Sequence, residues 1–141
     1  MNAYVDASVA LGIVLQEPHA LKEWPLITRG ITSELMRVEC CRAFDRLVRS
    51  GNITDEDYAM KLAQVDRILA TMLVLPISRS VLGGASRRFG VRIDTLDAIH
   101  LATAEQFRTS IVEGPAPLFA THDYALATAA RHAGFDVIGA N

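Results

Sequence analysis

Short apolar runs alternate with helix-forming stretches along most of the chain, and this alternation constrains its fold more than any other feature. The runs at residues 3–6, 73–77, 118–121 and 136–138 lack the every-second-residue pattern of a half-exposed strand. Such strands are typical of parallel sheets, which are buried on both faces. Helical stretches lie between them, so the sequence predicts an α/β fold, a three-layer α/β/α sandwich around a central, mainly parallel sheet.

The remaining elements are placed by apolar periodicity and by capping residues. A further apolar run at residues 26–28 predicts the second strand, followed by a turn at Arg29 and Gly30. At 141 residues the chain is long enough for a full hydrophobic core and is expected to form a single domain, residues 1–141. Helices are predicted over about residues 7–16, 33–50, 54–72, 78–90, 94–110 and 122–133.

Composition excludes several classes of protein. Half of the residues are hydrophobic, which excludes a disordered chain. No apolar run approaches the roughly 20 residues of a membrane span. Met1 and Asn2 lead directly into a strand, so we expect no signal peptide, no membrane contact and a cytoplasmic protein. Cys40 and Cys41 are neighbours, without the spacing of a zinc motif, and are interpreted as reduced thiols.

The basic residues are unusual in kind rather than in number. The net charge is −2, so no global basic field indicates nucleic acid, yet only Lys22 and Lys61 are lysines. Arginine binds phosphate in a two-pronged fork, which suits an RNA backbone, whereas a solvated helix face explains the same pattern without a ligand. Two groups stand out: Arg37, Arg42, Arg46 and Arg49 in one predicted helix, and Arg79, Arg87, Arg88 and Arg92 further along the chain.

Four carboxylates lie at predicted strand ends or among apolar helical neighbours: Asp6, Glu39, Asp97 and Asp123. Strand ends and first helical turns converge on one edge of an α/β sheet, so the four could meet in space. A cluster of like charges there is costly unless a divalent cation neutralises it. The pattern therefore points to an enzyme that cleaves phosphodiester bonds with the help of Mg²⁺ or Mn²⁺.

Each of these acids has an ordinary explanation when it is taken alone. Asp6 and Asp123 precede predicted helices and could serve as their caps. Glu39 lies at the border of an apolar helix face and could form a surface ion pair with Arg42 or Arg46.

Asp97 could stabilise the first turn of its helix, or join Asp94 in a cap that resembles a capping box. The residues that follow it on the same helix line, Leu101 and Ala104, are apolar. We therefore expect its carboxylate to face inward rather than towards solvent.

Two histidines and two hydroxyls lie close to these acids in the sequence. His100 is interpreted as a hydrogen-bonded packing residue rather than as half of a catalytic pair, and His122 as a turn residue. Ser8 and Thr121 are predicted to be supporting hydroxyls that orient carboxylates or a phosphate, since no nucleophile elbow surrounds Ser8. Glycine-rich phosphate-binding loops are absent from the sequence, so no nucleotide cofactor is expected.

Four segments together resemble the PIN-domain ribonucleases, specifically the VapC type, the toxin half of type II toxin–antitoxin pairs. They are residues 4–8, 32–39, 96–104 and 121–123, in the family's order, and the resemblance covers essentially the whole chain. The third segment is the most specific. Carried over position by position, the family's catalytic, metal-binding acids fall on Asp6, Glu39, Asp97 and Asp123.

The resemblance implies a single PIN-like domain that acts as an endoribonuclease dependent on Mg²⁺ or Mn²⁺. It also implies an RNA substrate, a homodimer, and a cognate antitoxin that binds across the acids. The predicted amphipathic helix at about 54–71 is a candidate contact for the antitoxin or for the dimer. Two alternatives remain open at this point. One is an RNA-processing PIN nuclease without an antitoxin, and the other is a non-catalytic binding module whose acidic pocket receives an arginine of a partner.

Overall fold

Five parallel strands form one sheet in the computed structural model, which describes residues 1–140. Asn141, the last residue of the predicted domain, lies outside the described residues. The strand order is β3-β2-β1-β4-β5, so the first strand lies at the centre. The strands are β1 (Asn2–Val5), β2 (Arg29–Ser33), β3 (Leu73–Leu75), β4 (Leu118–Ala120) and β5 (Val137–Ile138).

Six α-helices of residues 1–140 connect and cover these strands. None of them combines the length and the apolar character that a transmembrane segment needs. They are α1 (Ala7–Val14), α2 (Leu35–Arg49), α3 (Asp55–Ala70), α4 (Arg79–Ala85), α5 (Thr95–Ser110) and α6 (Tyr124–His132).

Buried side chains form two clusters, and residues of β1 contribute alternately to them. Ala3 and Val5 belong to a cluster with α1, α2 and α3, whereas Tyr4 belongs to a cluster with α5 and α6. Successive residues of a strand point to opposite faces of the sheet, so the two clusters mark its two covered faces. The predicted α/β/α sandwich with a parallel sheet is confirmed.

The predicted position of the second strand is wrong. Residues 26–28 do not form it; Trp24–Leu26 is a short 3₁₀-helix, and the strand is Arg29–Ser33. Gly30 was expected in a turn but is buried inside the strand. A Cβ atom there would lie 3.0 Å from the Met72 side chain, so glycine permits close packing rather than a turn.

Two polar side chains at the end of β2 form hydrogen bonds that the local sequence pattern does not predict. The Thr32 hydroxyl donates to the Val5 carbonyl oxygen at 2.7 Å. The Ser33 hydroxyl accepts from the Leu35 backbone N–H at 3.1 Å. Two polar residues are therefore buried at the carboxyl end of a strand, and α2 begins just after them.

The fourth helix ends earlier than predicted, at Ala85 rather than near residue 90. The Ser86 hydroxyl donates back to the Leu82 carbonyl oxygen at 2.7 Å. The Arg87 guanidinium turns towards α5 and pairs with Glu105, with an N–O distance of 2.7 Å. The chain that follows leaves the helix and forms a loop beside the start of α5.

Candidate active site at the carboxyl edge of the sheet

Asp6 is the most buried of the four predicted acids, with 4% of its surface exposed. It follows β1 directly, and its backbone N–H donates to the Ala120 carbonyl oxygen at 3.0 Å. Its Oδ2 atom accepts hydrogen bonds from the Ser8 hydroxyl at 2.6 Å and from the Thr121 hydroxyl at 2.9 Å. The two hydroxyls singled out in the sequence therefore bind the same carboxylate oxygen.

The same hydroxyls also hold the segment that follows β4. The Thr121 hydroxyl accepts from the Asp123 backbone N–H at 3.0 Å, and the Ser8 hydroxyl accepts from the His122 backbone N–H at 2.9 Å. Each hydroxyl thus donates to Asp6 and accepts from the neighbouring loop. The ends of β1 and β4 are consequently held in one fixed arrangement.

Glu39 reaches the site from α2, and His100 binds it. The His100 Nε2 atom lies 2.7 Å from Glu39 Oε1 and 3.5 Å from Asp6 Oδ1. The surface ion pair with Arg42 or Arg46 that was considered for Glu39 does not form among residues 1–140; Arg42 instead pairs with Asp45 at 2.7 Å. The bond to His100 explains why a glutamate is half-buried beside the apolar face of its helix.

His100 is the residue whose place in the site the sequence did not reveal. It is buried and hydrogen-bonded, as predicted for a packing histidine. However, one side of its ring binds the Glu39 carboxylate of the site. On the other side, Nδ1 lies 2.7 Å from the Tyr4 hydroxyl oxygen. Burial lowers the pKa of His100, but the hydrogen bond to Glu39 and the charge of Asp6 outweigh it and raise the pKa above its ordinary value. The one available signal was its position, one helical turn after Asp97 on the buried face of α5.

Asp97 lies in the first turn of α5 and is half-buried. Burial, together with the charges of Asp123 and Asp6, raises the pKa of its carboxyl group to about 7. Part of this shift is repulsion between neighbouring carboxylates, and Asp97 lines the same cavity as Asp6 and Asp123. Asp97 is therefore part of the same electrostatic cluster as Asp6 and Asp123.

Asp123 caps α6 and borders the cluster at the same time. Its Oδ1 atom accepts from the Leu126 backbone N–H at 2.9 Å. By contrast, Asp94 precedes α5 but its side chain makes no capping hydrogen bond, so the cap resembling a capping box that was considered for Asp94 and Asp97 is not formed.

A cavity of about 340 Å³ lies over the acids. All four acids line it, together with the apolar side chains of Val38 and Leu96, which are 57% and 48% exposed. Arg42 and Arg46 also line the cavity. The site is thus a negatively charged depression with apolar and basic surroundings.

The residues of this depression fit a divalent cation. The carboxylates of Asp6 and Glu39 lie beside the His100 imidazole, with one side-chain oxygen or nitrogen atom of each residue within 4.8 Å of the others. Across residues 1–140, no lysine or arginine forms an ion pair with any of the four acids. Clustered carboxylate oxygens that are not paired with lysine or arginine are a donor set that Mg²⁺ and Mn²⁺ prefer.

A second depression, of about 540 Å³, adjoins the acids and is lined by the loop between α4 and α5. Ile93, Asp94 and Thr95 line it and also line a depression that contains Glu39, Asp97 and Asp123. Two exposed arginines of the loop, Arg88 and Arg92, lie along it.

The arginines singled out in the sequence differ in their contacts. Arg87 is held by Glu105 and stacks over the Phe89 ring at 4.2 Å. In α2, Arg37 pairs with Asp66 at 2.9 Å, and two further arginines share Asp45. These α2 contacts are exposed ion pairs of the kind that contribute little to stability.

Comparison with known proteins gives three kinds of match. Residues 3–132 match the sequence profile described as PIN domain. Ribonuclease VapC47 of Mycobacterium tuberculosis (strain CDC 1551 / Oshkosh) is 29% identical over 139 residues, which cover 94% of this chain and 92% of that protein.

Among solved structures, FitAcB from Neisseria gonorrhoeae has a TM-score of 0.71 at 16% identity, with 98% of this chain and 96% of that chain covered. A toxin–antitoxin complex from Klebsiella pneumoniae has a TM-score of 0.62 at 16% identity, with 89% and 90% covered. At these identities the solved structures establish a shared fold.

Proposed function

The chain is a member of the PIN domain family, and from that premise we propose that it is a metal-dependent endoribonuclease that acts as the toxin of a toxin–antitoxin pair. The observation that carries the proposal is the convergence of four carboxylates, none of them paired with a lysine or arginine of residues 1–140, in a depression at the carboxyl edge of the sheet. The matched relative named as a ribonuclease supports the activity, and the toxin–antitoxin complex among the matched structures supports the biological role.

Asp6, Glu39, Asp97 and Asp123 would hold Mg²⁺ or Mn²⁺. When bound, such a cation supplies charge neutralisation and Lewis-acid activation of water for phosphodiester hydrolysis. The chain itself supplies the order of the ligands. Ser8 and Thr121 fix one oxygen of Asp6.

The RNA backbone would lie along the depression that contains Arg88 and Arg92. Both side chains are exposed, and this depression shares three lining residues with the one that contains Asp97. Guanidinium groups in a depression that adjoins the acids would bind phosphates of the strand that is cut, which positions the strand without selecting its sequence.

The antitoxin would bind over the acids. Val38 and Leu96 are exposed apolar side chains beside a negatively charged cavity, a combination that favours a partner segment with apolar residues flanking a basic one. We further propose a homodimer with α3 as the contact, where Met60 is 65% exposed. Activity in the cytoplasm is part of the same proposal, since that is where RNA and antitoxin would meet.

Cleavage of total RNA by the purified, antitoxin-free protein tests the activity. We expect discrete fragments with Mg²⁺ or Mn²⁺ that disappear with EDTA. Asp6→Asn and Asp97→Asn should each lower the rate about a thousand-fold, because several kcal/mol of charge stabilisation is lost. Asp66→Asn, which removes an exposed ion pair far along α3, is the matched control and should cleave normally. A folded, cation-bound protein that cleaves no RNA would contradict the proposal and favour a binding module.

Growth of the host separates a toxin from an RNA-processing nuclease. Expression of the wild-type chain alone is expected to arrest growth, whereas Asp6→Asn at the same level should not. Normal growth with an active enzyme in the cell would reject the toxin role while leaving the ribonuclease activity intact.

A further inference from the structure

We propose that His100 is a positioning residue that holds Glu39 in the acid cluster by donating its Nε2–H, and that Tyr4 orients the imidazole for this purpose. His100 is then a donor to a metal ligand rather than a metal ligand itself. The inference deepens the proposed function and rests on it, because the role of Glu39 as a ligand belongs to that function.

The side of the imidazole that faces the acids determines where its proton lies. Nε2 is 2.7 Å from Glu39 Oε1 and 3.5 Å from Asp6 Oδ1. Ionised carboxylates only accept hydrogen bonds, so Nε2 must carry the proton in the short contact. A protonated ring nitrogen has no lone pair for a cation, which excludes His100 as a ligand while this bond is present.

The opposite side of the ring supports the same arrangement. Nδ1 is 2.7 Å from the Tyr4 hydroxyl, and both side chains are fully buried. The Tyr4 ring stacks on Phe119, with centroids 5.1 Å apart, so the phenol has a fixed position. In a neutral ring, a phenol that donates to Nδ1 leaves Nε2 as the protonated nitrogen, and in an imidazolium both nitrogens carry a proton, so Nε2 donates in either charge state. Tyr4 thereby holds the ring in the orientation in which Nε2 faces Glu39.

Glu39 depends on this contact more than Asp6 does. Asp6 receives two hydroxyl donors, but within the described part of the chain His100 provides the one hydrogen bond made to the Glu39 carboxylate. The Glu39 side chain is 23% exposed and extends from a helix, so without His100 it would be free to rotate towards solvent. The pair also joins α5 to α2 across the site.

Mn²⁺ binding to the purified protein gives a direct test that does not depend on cleavage. Pulsed EPR detects a coordinated imidazole through the ¹⁴N coupling to bound Mn²⁺. We expect Mn²⁺ to bind without directly coordinated nitrogen. A coordinated imidazole signal from the wild-type protein would overturn the positioning role, and no variant is needed to obtain that result.

Substitution of His100 provides the second test. Outer-sphere partners of metal ligands are worth about 10- to 100-fold in metal affinity, so we expect His100→Leu to weaken Mn²⁺ binding at least about tenfold. His100→Gln retains an N–H donor and should recover most of the affinity. Equal losses in both variants, or no loss in either, would overturn the proposal. His132→Leu, at the exposed far end of α6, is the control.

Tyr4→Phe tests the orienting contact. It should weaken Mn²⁺ binding severalfold in the wild-type background and cause no further loss in the His100→Leu background, because the two residues act through one path. Additive losses would remove Tyr4 from the proposal. A folded wild-type protein that binds neither Mn²⁺ nor Mg²⁺ would reject the proposed function itself, a result distinct from binding with a coordinated imidazole.

Discussion

The two halves of the acid cluster are held in different ways. The inner half, Asp6 and Glu39, accepts hydrogen bonds from side chains of other elements. The outer half does not: Asp123 accepts from a backbone N–H of the helix it caps, and no hydrogen bond of residues 1–140 reaches the Asp97 carboxylate. The positions of the inner carboxylates are therefore fixed by hydrogen bonds within the protein. In the described part of the chain the Asp97 carboxylate has no such bond, so its energy is determined by burial and by the neighbouring charges.

This difference explains which carboxylate of the cluster is electrostatically least favourable. A buried carboxylate is stabilised by donors and destabilised by like charges. Asp97 has the second effect without the first, and burial together with Asp123 raises its pKa to about 7. Asp6 and Glu39 therefore have fixed positions, whereas the unfavourable repulsion between carboxylates falls mainly on Asp97.

Loss of a donor to the inner half should have the largest effect of the three changes that follow. Thr121→Val removes the hydroxyl that donates to Asp6 and accepts from the Asp123 backbone. We expect Mn²⁺ affinity to fall about tenfold, measured by titration with EPR detection of free Mn²⁺. Thr128→Val, on the exposed side of α6, is the matched control. Unchanged affinity in Thr121→Val would mean that the hydroxyls do not order the inner half.

Removal of the Asp97 charge from the outer half should instead stabilise the fold. The pKa of Asp97 is raised above its value of about 3.9 in the unfolded chain. The unfolded state therefore ionises first, and the contribution of Asp97 to stability falls as the pH rises from about 4 to about 7. Asparagine cannot ionise, so Asp97→Asn should be more stable than wild type by about 1 kcal/mol at pH 8 without metal, after allowance for solvent screening.

Urea unfolding in EDTA, repeated between pH 4 and pH 8, measures this difference. The two proteins should be equally stable near pH 4 and diverge as the pH rises. A constant difference across that range would assign the effect to packing rather than to ionisation of Asp97.

The smallest effect is expected at the rim of the outer half. Arg92→Ala should raise the KM for RNA by about two- to fivefold at low salt and leave kcat unchanged, since it removes one phosphate contact. The increase should shrink as salt is added. Arg49→Ala removes an exposed arginine that is paired with Asp45 on α2 and serves as the control. A lower kcat at constant KM would place Arg92 in the chemistry rather than in substrate positioning.

Local signals were sufficient to predict most of the fold. The third and fourth helices were predicted to begin near residues 54 and 78, and in the structure Thr54 caps α3 and Ser78 caps α4. The second strand was misplaced because the buried position of Gly30 depends on Met72, which is distant in sequence. Tertiary packing thus overrode the turn propensity of glycine at that position.

The acids of the candidate site could be predicted from the sequence, but the hydrogen bonds between them and other elements could not. Acids at strand ends and in first helical turns can be recognised from sequence because topology brings such positions to one edge. The partner of Glu39 could not be recognised, since His100 lies 61 residues away and its immediate neighbours are apolar. Hydrogen bonds between distant elements leave no local pattern.

The central position of β1 also determines when during synthesis the site can exist. β1 pairs with β4, Ala3 opposite Leu118, and Thr121 bonds Asp6 across 115 residues. Contacts of such sequence separation form only after nearly the whole chain has been made. A ribosome that is still translating therefore carries an incomplete acid cluster. For the proposed ribonuclease, the topology of the sheet keeps the growing polypeptide harmless to its own messenger until translation is almost finished.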